Sequence, residues 1–114
     1  MKGIVIVNRF LTNLFSAGKA TAITIFPFVF VLNKRHKADN VLLNHERIHL
    51  AQALEMLVIP FYLWYVLEFL IRYVQLRDAD AAYLRISFER EAYGNEQNGG
   101  YLRKRKFWTF IRYL

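Results

Sequence analysis

Apolar residues in this chain fall into runs parted by short polar or basic breaks, and the runs differ in period. Ile4-Val5-Ile6-Val7 is a β-branched run that predicts a strand. Residues 21–32, rich in Ile, Phe, Val and Thr, predict a second extended stretch, which Pro27 bends or places at a sheet edge. Residues 10–20 show no decisive period and end in a turn at Ser16-Ala17-Gly18. Residues 33–37 form a basic loop. Beyond it, Asp39 or Asn40 can cap a helix over residues 41–59, which Pro60 stops or kinks. A second helical stretch covers 61–76, and a third, capped by Asp78 or Asp80, extends to Gly94-Asn95. Gly99-Gly100 breaks the chain before a basic, aromatic segment, 101–114. No internal repeat or low-complexity linker divides the 114 residues, so one domain is expected. Its expected class is α+β, mostly helical, with a small β-sheet packed on the helix of residues 41–59.

Composition sharpens this picture in three ways. Hydrophobic residues make up 55% of the chain and aromatics 17%, which is apolar for so small a protein, so part of the surface should meet a partner or a membrane. Residues 56–67 are uninterruptedly apolar or aromatic, and extension to residue 71 adds one charge, Glu68. A spanning helix needs about 20 apolar residues. This run is shorter and contains Pro60, so a buried helix is expected, with interfacial insertion or a partner surface as the alternative. Tyr62, Trp64 and Tyr65 suit an interface or a small core alike.

The formal net charge of +7 suits anionic lipid or nucleic acid. Arg103-Lys104-Arg105-Lys106-Phe107-Trp108 mixes bases and aromatics, as a surface helix on anionic lipid does. Nucleic acid is the weaker expectation, because no nucleic-acid-binding motif accompanies that segment. Cysteine is absent, so no disulfide framework or thiolate metal site is available. The first residues lack the pattern of a secretory signal, which gives a cytoplasmic expectation with room for membrane association.

The strongest chemical signal is His45-Glu46-Arg47-Ile48-His49, the pattern H-E-x-x-H. On a helix, residues i and i+4 share a face, so His45 and His49 can converge on one Zn2+ while Glu46 stands beside it as a general base. Two imidazoles do not complete such a site. A third ligand is expected from Phe88-Glu89-Arg90-Glu91-Ala92-Tyr93, on a helix that runs back past the first. Helical geometry leaves Glu89 and Glu91 both open, and a solvated face is the ordinary place for Glu91 or Glu96.

The pairing of His45-Glu46-Arg47-Ile48-His49, followed by Gln52, with Glu89-Arg90-Glu91-Ala92 resembles the gluzincin metallopeptidases. In many of these an HExxH helix precedes a second helix bearing E-x-E-A-D, and the resemblance implies Glu89 as third zinc ligand. Tyr93 stands where that pattern ends in Asp, so the usual support of the histidines is altered. In length the chain is similar to the single-domain minigluzincins, and the likeness covers residues 21–96. It implies a sheet strand over residues 23–31 above the active-site helix, whose edge pairs with an extended peptide. It also implies a lid over the cleft from residues 99–114 in a latent form. The implied chemistry is peptide-bond hydrolysis by attack of zinc-bound water, with Glu46 as base and then proton donor. Tyr93 and His36 are the candidates for supporting the site or stabilising the oxyanion. The contrasting expectation is a zinc-binding protein without peptidase activity, held at a membrane surface or on a protein partner.

Overall fold

A computed structural model describes residues 3–16, 18 and 20–114. Part of the turn expected at Ser16-Ala17-Gly18 therefore lies outside the described residues. The elements run β1 (Ile4–Val7), α1 (Arg9–Ser16), β2 (Ala22–Ile25), β3 (Phe28–Val31), α2 (Lys34–Lys37), α3 (Asn40–Glu55) and α4 (Ile59–Leu76). There follow α5 (Ala79–Arg85), α6 (Ser87–Asn95), α7 (Tyr101–Lys104) and a 3-10 turn at Thr109–Tyr113. The architecture is the expected one, mostly helical with a small mixed sheet.

The second extended stretch is two strands instead of one. Phe26-Pro27, joined by a cis peptide bond, turns the chain between β2 and β3. β3 takes the centre of the sheet, parallel to β1 on one side and antiparallel to β2 on the other. Its Val29 and Val31 are fully buried and pack with Ala22 against Leu43 and Leu50 of α3. Gly3 lets β1 close onto this layer. Its φ is +68°, and an added Cβ would collide with Leu50.

Asp39 caps α3, its carboxylate accepting from Leu42 N at 3.1 Å. The helix ends at Glu55, short of Pro60, because Leu57 and Val58 adopt φ of 61° and 65° and reverse the chain. Pro60 then sits in the first turn of α4, where its missing N–H costs nothing. The expected third helix is two helices. At Ile86 the backbone becomes extended, and Glu68 reaches across from α4 to accept from Ser87 N at 2.9 Å and from Ser87 Oγ. A second core forms there from Ala53, Met56, Phe61, Ile86, Phe88 and Phe110.

The helix of residues 56–71, expected to be buried, is not. Phe61 is the only buried residue of α4. The terminal segment is no lid either: none of residues 99–114 lines the cleft described below. It docks elsewhere, with Phe110 fully buried against Phe88 and Trp64 at ring-centroid distances of 4.7 and 5.5 Å.

Candidate metal centre

Burial of most of α3 places several of its polar residues in a water-poor environment. Asn44, His45, Glu46, His49 and Gln52 are all buried, so each must find a partner inside the protein. His45 and His49, one turn apart, point their Nε2 atoms at each other across 3.2 Å. Glu89 Oε1, from α6, lies 3.0 Å from His45 Nε2 and 3.1 Å from His49 Nε2. Three donors bound to one tetrahedral zinc at 2.0–2.1 Å would stand about 3.3 Å apart. The three atoms, all on buried residues, thus have the spacing and chemistry that a zinc ion requires of its ligands.

Hydrogen bonds fix each member of the cluster from behind. His45 Nδ1 donates to Glu96 Oε2 at 2.7 Å and His49 Nδ1 to Gln52 Oε1 at 2.8 Å, which leaves both Nε2 atoms free to act as lone-pair donors. The Gln52 amide cannot turn over, because its Nε2 donates to Phe88 O and to Glu91 Oε1 at 3.2 and 2.9 Å. The other Glu89 oxygen accepts from Tyr65 Oη at 2.6 Å. Asn44 Nδ2 donates to the backbone oxygens of Asn95, Glu96 and Asn98, pinning the turn that carries Glu96.

Electrostatics in the cluster favour a cation. Burial opposes the Glu89 charge, but His49 and His45 outweigh it and hold Glu89 well below the usual carboxylate range. Burial would depress His49, yet the charge and hydrogen bond of Glu89, with Glu46 and Gln52, push it up to about 9. A proton on His49 thus sits where a metal cation would replace it. Burial also raises Glu46, against the two histidines and its bond from Thr24. Glu46 is therefore more proton-avid than an exposed glutamate, a property that suits a proton carrier.

The cluster opens into a cleft of roughly 710 Å³. β2 forms one wall, the aromatic side of α4 with Phe61, Tyr62, Tyr65 and Phe69 another, and Tyr83 and Tyr93 stand at one end. Among the described residues, no Lys or Arg lines it, whereas Glu46, Asp80, Glu89 and Glu96 do. In a chain of net charge +7, the cleft is a local acidic region. Thr24 Oγ1, from β2, donates to Glu46 Oε2 at 2.8 Å and so orients its carboxylate.

Four residues singled out in the sequence, His45, Glu46, His49 and Glu89, therefore meet at one place. Tyr93 meets them too, its ring edge-on to His45 at 4.4 Å and its hydroxyl 3.0 Å from that of Tyr83. His36 does not, since it lies on α2 and does not line the cleft. Glu91 neither joins this cluster nor faces solvent. It is fully buried and held by Gln52, Tyr101 and Arg105. Glu96, expected on a solvated face, orients His45 instead. Sequence reasoning missed Tyr62, Tyr65 and Tyr83 as cleft residues and left Gln52 without a role. Its one available signal was an amide one turn past His49 on a helix that carries little exposed surface. No family model, curated protein or solved structure matches the chain.

Proposed function

We propose that the protein is a zinc-dependent peptidase of gluzincin type, with Glu46 as its proton carrier. The observation that supports this reading is the convergence of His45 Nε2, His49 Nε2 and Glu89 Oε1 within 3.2 Å of one another, beside a buried Glu46 and an open cleft. Those three atoms would hold the ion. When bound, zinc supplies a Lewis acid for a carbonyl oxygen and an activated water.

The remaining work falls to the side chains and the sheet edge. Glu46, aimed by Thr24, takes up a proton during attack and returns it to the leaving amine. Leu32 N donates to Thr21 O, and strand alternation from there turns the backbone groups of Ala22, Thr24 and Phe26 away from β3. An extended peptide fits that edge by strand addition. Tyr62 closes it at one end, its hydroxyl donating to Thr24 O at 3.1 Å and accepting from Phe26 N at 2.9 Å. The Tyr83–Tyr93 hydroxyl pair is the donor for the developing oxyanion.

The test is mass-spectrometric readout of a peptide library incubated with zinc-loaded protein. Wild type should cleave, whereas Glu46→Gln should lose at least about a hundredfold in rate while keeping its zinc. No cleavage by fully loaded wild type, or equal cleavage by the variant, would sink the reading and leave a zinc-binding protein without peptidase activity.

A further inference from the structure

The polarity of α4 is inverted for a surface helix. At 3.6 residues per turn, Leu63, Val66, Leu67, Leu70, Ile71 and Val74 share an outer arc of about 140° that contains no polar residue. Each of the six is between 48% and 68% exposed. The charged residues of α4, Glu68 and Arg72, lie on the opposite side; Glu68 is engaged with Ser87. A contiguous apolar face of this length marks a contact surface.

Among the described residues, no single helix is long and apolar enough to cross a membrane. The pair α3 and α4 passes by length and composition only together, with a bend of 114°, and α3 is lined with the buried polar residues of the metal centre. A helix with one wholly apolar face that does not span suits the plane of an interface.

Charge identifies which interface. The acidic residues are largely turned inward: Glu46, Glu89 and Glu91 are buried, and Glu55 is sequestered by Arg105. Among the described residues, Asp39, Asp78 and Asp80 are the only acidic side chains that stand exposed at the surface. The surface is therefore more basic than the net charge suggests. Arg77 ends α4 at one end. Beside its other half lies the terminal segment, joined through Trp64–Phe110 and Trp108–Phe110 ring contacts at 5.5 and 5.7 Å. There Phe107 is 78% exposed, next to exposed Lys104 and Lys106. A second copy brought onto this face would carry the same net positive charge, whereas an anionic bilayer carries the opposite one.

We propose that the outer face of α4, with Phe107 and the adjoining basic residues, seats the protein on an anionic bilayer surface. The face contains none of the metal-centre residues, so the proposal is independent of the peptidase reading.

Flotation of the full chain with phosphatidylcholine vesicles, with and without phosphatidylglycerol, tests it. Wild type should float with the anionic vesicles, weakly with the neutral ones, and less as salt rises, with a blue shift of tryptophan emission. Leu67→Glu combined with Leu70→Glu should cut partitioning at least about tenfold. Both sites are exposed, and an unchanged thermal melt would show that the fold is kept. Absence of wild-type binding at low salt would overturn the proposal, as would equal flotation of a folded double variant. A dimer in sedimentation that the same two substitutions dissolve, without vesicle binding, would overturn it in favour of a second copy.

Discussion

Gln52 and Glu91 face each other across α3 and α6, the Gln52 amide donating to Glu91 Oε1 at 2.9 Å while its carbonyl accepts from His49 Nδ1 at 2.8 Å. Glu91 is in turn held by Tyr101 and by Arg105. The terminal segment thus reaches the candidate metal centre from behind, as a buttress and not as a cover. Gln52→Leu should leave His49 free to rotate and weaken zinc binding by about 10- to 100-fold. Competition against a chromophoric chelator measures this, and an unchanged affinity would remove Gln52 from the site.

The two carboxylates of α6 should separate cleanly by metal content. Elemental analysis of zinc-supplied protein should find one equivalent in wild type and none in His49→Ala or Glu89→Ala, since each removes one of three donors. Glu91→Gln should keep its metal, because the Glu91 carboxylate faces Arg105 and not the histidines. Zinc retained by Glu89→Ala would move the third ligand elsewhere.

Stability should depend strongly on Arg105. Its guanidinium makes a fork to Glu55 at 2.9 and 3.0 Å and meets Glu91 through Nε and Nη2, with all three side chains at most 5% exposed. Removal of the cation would strand two buried carboxylates. Arg105→Met should therefore cost about 3–5 kcal/mol in urea unfolding. A loss below about 1 kcal/mol, the range of exposed pairs, would mean that water reaches the triad.

What the sequence made legible followed from local rules, and what it hid followed from tertiary ones. The HExxH spacing and the Asp39 cap are local, so α3 and its two histidines could be read directly. The choice of Glu89 over Glu91 rested on resemblance alone, because their fates depend on Arg105, fourteen residues beyond Glu91. The end of α3 was misread because Leu57 and Val58 take left-handed backbone conformations that neither side chain favours. The break at Ile86 has no Gly or Pro to announce it, since the cap comes from Glu68 on another helix. The apolar run of α4 looked like core because sequence gives the amount of apolar surface and not whether a second layer covers it.

Tyr62 offers the sharpest test of how a substrate would lie. Its hydroxyl occupies the edge groups of Thr24 and Phe26, so a peptide added to β2 can pair with Ala22 and the Thr24 N–H but must stop there. That stop sets which peptide bond reaches Glu46. Tyr62→Phe removes two hydrogen bonds at a partly buried site, a loss of about 1–3 kcal/mol that the fold should survive. With the stop gone, the edge is open to Phe26 and the peptide can slide by two residues, the repeat that keeps each side chain on its own face. Mapped cleavage sites in one peptide should therefore spread from a single bond to bonds two residues apart, with zinc content unchanged. An unaltered cleavage map in a folded, zinc-loaded Tyr62→Phe protein would mean that the substrate does not pair with the edge of β2.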